Sequence, residues 1–98
     1  MTTYHSFYTT RFRLYPPQGK PVYVSAADLD CLRRFAQHAE QFPVGPLTVR
    51  QLFPQERHLW GRCGRLARLG LLTRWLGGLA LCQSVRDQVY KALAEAQA

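Results

Sequence analysis

This chain of 98 residues contains no isoleucine, no asparagine and a single methionine, and it sets only six acidic residues against 13 basic ones. The shortage of acid leaves a formal net charge of +7, which favours polyanionic partners such as nucleic acid or an acidic protein surface. Eleven of the basic residues are arginine. With Ile and Asn missing, that bias looks like a GC-rich coding background, so the placement of the arginines carries more than their number. No apolar run approaches the roughly 20 residues that cross a bilayer, so no membrane partner is expected. Residues 4–15 are broken by Thr and Arg and do not read as a secretory leader, and the expected location is cytoplasmic. Cysteine is scarce and odd in number: Cys31, Cys63 and Cys82 lack any C-x-x-C pairing. A disulfide, or a zinc site using His58, is the sharper alternative; on predicted apolar faces each Cys is more simply a small hydrophobe. Neither a metal nor a cofactor is expected. A Gly-rich phosphate loop and a nucleophile–base–orienter set are also missing, so the chain does not read as an enzyme.

Ninety-eight residues suffice for a single domain with one modest core and no staples. Residues 4–15 are rich in aromatic and β-branched types, and Pro16-Pro17-Gln18-Gly19 separates them from the short run 21–24. The segment 1–24 therefore reads as a β-hairpin. Tyr8, Thr10, Phe12 and Leu14 share one face of its first strand; Phe7, Thr9, Arg11 and Arg13 share the other. Aromatics interleaved with arginines can stack single-stranded RNA. The simpler expectation packs Tyr8, Phe12 and Leu14 on the helices and leaves the arginines in water.

Ser25-Ala-Ala-Asp28 is a capping box that opens a helix to about Phe42. Leu29, Leu32, Phe35, Ala36, Ala39 and Phe42 form its buried stripe at helical spacing. Asp28 suits the positive end of the helix dipole. Asp30, His38 and Glu40 lack a convergent nucleophile and read as a solvated face. The link 43–46 follows. Thr48 and Gln51 make a second capping box for a short helix through about Phe53, and Pro54 forces a turn while suiting the first turn of the next helix.

That next helix is expected over 55–70. Leu59, Cys63, Leu66 and Gly70 fall on one side at about 100° per residue. Arg57, His58, Gly61, Arg65 and Arg68 fall opposite, with Arg62 at the edge. Such a helix docks on a core by one stripe and shows a cationic face to a partner. Residues 50–74 hold Arg50, Arg57, Arg62, Arg65, Arg68 and Arg74 against Glu56 alone, a net +5 on this unit. Gly61 and Gly64 either let a partner approach the backbone or mark a kink. Trp60 reads as a core-edge residue. Leu71–Leu76 and Leu79–Gln83 then read as two strands around a Gly77-Gly78 turn. Trp75 would pair with Ala80 and Thr73 with Cys82, facing the core with Leu71. That places Leu72, Leu76, Leu79 and Leu81 together on an exposed face. Ser84-Val-Arg-Asp87 is a third capping box, for a final helix carrying Val85, Val89, Ala92, Leu93 and Ala96 on one stripe.

Short helix, turn, basic helix and hairpin resemble the winged helix-turn-helix family. The residues that carry the likeness are Leu66-Ala67-Arg68-Leu69-Gly70-Leu71-Leu72 and the Gly77-Gly78 turn, within a match that runs from about Ser25 onward. The expected fold class is α+β, a winged helix-turn-helix domain preceded by an N-terminal β-hairpin, in the order β-β-α-α-α-β-β-α. One domain would span 1–98: the hairpin 1–24, the helix-turn-helix and wing 25–84, and the C-terminal helix 85–98. The resemblance implies a sequence-specific double-stranded DNA-binding protein acting in transcription regulation. Its 55–70 helix would enter the major groove with Arg57, His58, Arg62, Arg65 and Arg68. Thr48, Arg50 and Arg74 would serve the flanking backbone. A helix after the wing implies a homodimer through residues 85–98, although closing the monomer core explains that stripe equally well. The alternative is a winged-helix protein-protein interaction module, an assembly subunit or mobile-element inhibitor. It would dock on an acidic surface through the same arginines and through Leu72, Leu76, Leu79 and Leu81.

Overall fold

A computed structural model describes residues 11–41, 47–75 and 77–97. Phe7, Tyr8, Thr9, Thr10, Phe42, the 43–46 link and Leu76 lie outside the described residues. The described residues form an α+β domain with four helices and two small antiparallel sheets. The order is β1 (Phe12–Leu14), β2 (Val22–Val24), α1 (Ala26–Gln41), α2 (Val49–Leu52), α3 (His58–Arg68), β3 (Leu72–Trp75), β4 (Gly78–Leu81) and α4 (Gln83–Gln97).

Local chemistry sets the helix starts. The Asp28 N–H donates to the Ser25 hydroxyl and the Ser25 N–H to the Asp28 carboxylate, so the first capping box closes α1. The second is equally complete: Gln51 N–H donates to Thr48 Oγ1, and Thr48 N–H to Gln51 Oε1. α2 ends at Phe53, whose ring is fully buried and meets Phe35 edge-on. Pro54 sits in the turn that follows rather than in the first turn of α3, which starts at His58 with Arg57 as its cap. The basic helix is thus three residues shorter at its start than the 55–70 expected. It runs unbroken through Gly61 and Gly64, so neither glycine kinks it. It stops where Gly70 takes φ +87° and the Leu71 N–H reaches back to the Leu66 carbonyl at 3.1 Å. The third box does not form a cap. α4 begins two residues before the expected 85, at Gln83, with the Val85 and Arg86 N–H groups on the Cys82 carbonyl.

The core gathers Leu29, Leu32 and Phe35 of α1, Cys63 and Leu66 of α3, Leu72 and Leu79 of the second hairpin, and Val85 and Val89 of α4. Leu14 and Val24 close it from the first hairpin, while Arg11 and Arg13 are exposed, as the alternating pattern predicts. Gln88 ties that hairpin to α4: its amide donates to the Tyr15 carbonyl at 2.9 Å and accepts the Tyr15 N–H at 2.7 Å. Because Val85 and Val89 are fully buried and Ala92 and Leu93 pack against the same core, closing the monomer accounts for the α4 stripe.

The second hairpin pairs Leu72 with Leu81, Thr73 with Ala80, Arg74 with Leu79 and Trp75 with Gly78. Because Trp75 meets Gly78, the turn comes one residue before the expected Gly77-Gly78, with Gly77 at φ +80°. A one-residue move of the turn shifts every partner by two, so the faces keep their membership. What reverses is which face is covered. Leu72 is 3% and Leu79 4% exposed, Leu81 is half-buried against the core, and Thr73 is exposed. Leu47 bridges the free edge of β4, exchanging two backbone hydrogen bonds with Leu79 at 2.8 and 2.6 Å. With α1 packed on β4, the leucine face turns inward.

Candidate nucleic-acid interface

α3 buries Cys63 and Leu66 completely, with Leu59 packed beside them. One hundred degrees per residue then turns Arg57, His58, Gly61, Arg65 and Arg68 outward, and all five are exposed. The cationic face expected from the periodicity is present. Its arginines nevertheless divide into two groups with different surroundings.

The first group faces α1. Arg62 Nη1 and Arg65 Nη2 both donate to the same Asp28 oxygen, Oδ1, each at 2.6 Å. Oδ2 accepts the Ser25 N–H at 2.9 Å. The Asp28 side chain is 4% exposed, against 30% for Arg62 and 44% for Arg65. Burial pushes this carboxyl's pKa up, but the Ser25 N–H and the two guanidinium groups outweigh it and hold the group below the usual carboxylate range. Arg62 Nε is buried without a hydrogen-bond partner. Arg62 is therefore a joint between helices, and Arg65 is tethered by one nitrogen while the rest of its guanidinium meets water. Beside them Arg34 of α1 donates to Glu56 at 2.6 Å and lies over the Phe53 ring.

The second group surrounds Trp60. The indole N–H donates to the Phe53 carbonyl at 2.9 Å, which fixes the ring at the edge of the core. Arg50 and Arg57 place their guanidinium carbons 5.2 and 5.8 Å from its centroid, within cation–π range. No carboxylate of the described residues lies within 4 Å of Arg50, Arg57, Arg68 or Arg74. These four are the unneutralised cations of the unit. Between α2, α3 and the second hairpin runs an open groove of about 470 Å³, with Thr48 and Arg50 on one wall, Trp60 and Gly64 on its floor, and Arg74 and Gly77 opposite.

The residues expected to touch nucleic acid thus do not act as one set. Arg57, His58, Arg65 and Arg68 share the outer face of α3; Thr48, Arg50 and Arg74 line the groove; Arg62 belongs to the α1 joint. The Thr48 hydroxyl already accepts the Gln51 N–H and is committed to its helix. Among residues expected to dock a protein partner, Leu72 and Leu79 are core, Leu81 is half-buried, and Leu76 lies outside the described residues. Two functional positions went unrecognised in the sequence. Asp28 is read from the sequence as a capping-box and helix-dipole residue only, and its arginine partners lie 34 and 37 residues away. Trp60 was placed correctly at the core edge, but no local signal showed that two guanidinium groups rest on it.

The remaining reactive groups serve packing. The Cys31 and Cys63 sulfurs touch at 3.5 Å inside the core, and the Cys63 contact together with burial pushes the Cys31 thiol's pKa up. Cys82 sits beside the Thr73 hydroxyl at 3.0 Å. Among the described residues no three His, Cys, Asp or Glu side chains gather to hold a metal ion. No helix of the described residues is long and apolar enough to cross a membrane. On the first hairpin Arg13 lies over the Tyr15 ring and faces the exposed Tyr23 across the strands. Phe12 is half-buried, so the stacking platform considered for RNA lacks it. No known protein family, curated protein or solved structure matches the chain.

Proposed function

We propose that this chain is a winged helix-turn-helix protein that binds double-stranded DNA and acts as a transcriptional regulator, with α3 as the element that enters the major groove. The single observation that carries this is the outer face of α3. Arg57, His58 and Arg68 are exposed there without a carboxylate neighbour, and the opposite face is fixed in the core. The order of α1, α2, α3 and the β3–β4 hairpin supports the same conclusion.

Each cation then has a distinct task. Arg57 and Arg68 sit eleven residues apart and are assigned to base edges along the groove, where a bidentate arginine–guanine pair contributes about 1–3 kcal/mol of discrimination. Arg65 is pre-oriented by its tether to Asp28 and lends charge without free choice of direction. Arg50 and Arg74 flank the helix and meet phosphates, which position the protein without reading sequence. Arg62 is excluded from the contact set because its work is to hold α3 on α1. The expected leucine-faced docking surface for a protein partner has lost its support, since Leu72 and Leu79 are inside the core.

Selection of bound sequences from a random duplex library at near-physiological salt tests the proposal. Enrichment of a defined motif is expected, with Arg57→Ala and Arg68→Ala each relaxing preference at particular positions. Absence of any enriched motif, with both variants binding as the parent does, would overturn it.

A further inference from the structure

The groove between α2, α3 and the second hairpin is not part of the outer face of α3, and its chemistry is specific. Its volume, about 470 Å³, lies within the roughly 300–1,000 Å³ typical of small-molecule sites. Its lining has the composition such sites have, an apolar floor and a few placed polar groups. Trp60 lines it, locked by its hydrogen bond to the Phe53 carbonyl, and next to it Gly64 carries no side chain, with Arg68 Nη1 3.8 Å from where a Cβ would stand. Arg50 rests its guanidinium on the indole from the α2 side, and Arg57 adds a second beside the same ring. Arg74 stands on the opposite wall. None of these three has a carboxylate partner among the described residues, whereas Arg33, Arg34, Arg62 and Arg65 all do. Two uncompensated cations in the groove, Arg50 and Arg74, beside an aromatic ring that Arg57 also approaches, call for a ligand that is planar in one part and anionic in another. Bases stack on aromatic rings and on guanidinium planes, and phosphate takes the remaining arginine N–H groups.

From this we infer that the groove is a binding site for a single phosphorylated nucleoside, with the base over the Trp60–Arg50 platform and the phosphate toward Arg74. The ligand chemistry is the same for a free mononucleotide and for one nucleotide of a single strand, and the test separates them. The site shares Arg50 and Arg74 with the proposed duplex contact, and Arg68, which does not line the groove, is the residue whose substitution separates the two.

The test follows the amide signals of Gly64, Gly77 and Gly78 by NMR in the full chain during four titrations: a 5′-mononucleotide, a single-stranded trinucleotide, inorganic phosphate and a diglutamate peptide. Saturable shifts with the mononucleotide support the site and identify the free ligand as sufficient. Shifts with the trinucleotide alone support it and identify a strand as the source. Gly64→Leu fills the floor and raises helix propensity, and a side chain at this position starts 3.8 Å from Arg68 Nη1, an ordinary contact. It is expected to weaken nucleotide binding at least tenfold in a protein that melts no lower than the parent. Arg74→Ala should weaken it about fivefold, and Arg68→Ala should leave it unchanged while lowering duplex affinity. Equal shifts with phosphate or with the acidic peptide, no shift with either nucleotide, or unaltered binding by Gly64→Leu would overturn the inference.

Discussion

Asp28 accepts from three donors on two segments of chain, the Ser25 N–H beside it and Arg62 and Arg65 of α3, while its carboxylate is almost fully withdrawn from water. Removing one partner of such a cluster leaves the others uncompensated. Because both arginines keep access to solvent, the loss is smaller than for a fully buried pair. Asp28→Asn should destabilise the fold by about 2 kcal/mol near pH 7, read by urea unfolding. The pH dependence has a definite sign. The folded carboxyl titrates below its unfolded value, near 3.9, so its contribution is complete above that value and disappears as pH falls through the folded one. The gap between parent and Asp28→Asn should therefore stay constant from pH 7 to about pH 5 and close in stronger acid. The two arginines should respond differently. Arg62→Met removes one of the two guanidinium partners of the buried Asp28 but also an orphaned Nε, and should destabilise by about 1–2 kcal/mol with duplex affinity nearly intact. Arg68→Ala should leave stability within about 0.5 kcal/mol and lower duplex affinity roughly tenfold, as loss of an exposed, functional cation requires.

At the scale of elements, the ends of α3 and of the second hairpin depend on backbone that only glycine adopts comfortably. Gly70 has φ +87°, and a Cβ there would come 3.3 Å from the Pro16 ring; Gly77 has φ +80° with nothing within 4 Å. Both Ala substitutions carry left-handed strain of about 1–2 kcal/mol, and Gly70→Ala adds the Pro16 clash, so it should be the more destabilising in the same urea assay. Gly61 has an ordinary helical backbone and open space above it. Gly61→Ala should instead stabilise by up to about 1 kcal/mol. What could be seen in the sequence follows the range of the interactions. The Ser25–Asp28 and Thr48–Gln51 boxes close over three residues, so spelling alone located two helix starts. Ser84–Asp87 has the same spelling, but the Cys82 carbonyl captures the first N–H groups and leaves Ser84 inside the turn. Two adjacent glycines supply two acceptable turns, and the pattern of leucines fits either. Which hairpin face is covered was decided by α1, which packs on β4 from a distant part of the chain. The outer face of α3 was legible because its periodicity is local; the division of its arginines was not, because Asp28 belongs to another helix.

For the whole molecule the formal charge of +7 overstates what a partner meets. Asp28 and Glu56 absorb part of the field of Arg62, Arg65 and Arg34, and four cations around α3 remain unopposed. If each neutralises one phosphate, the slope of log affinity against log salt is about −3.6, and duplex affinity should fall roughly a hundredfold between 50 and 200 mM salt. A slope near zero would show that these arginines do not meet a polyanion. With the α4 stripe inside the core, the chain without DNA should sediment at the mass of one copy. The shared carboxylate at the start of α1 sets a final condition on all of this. A single proton on Asp28 unlatches Arg62 and Arg65 together, which enriches the free positive charge of α3 while undoing the hinge pin that aims it. Acid therefore drives attraction for a polyanion and rigidity of the reading head in opposite directions, and any polyanion that pulls Arg65 away works against the same latch.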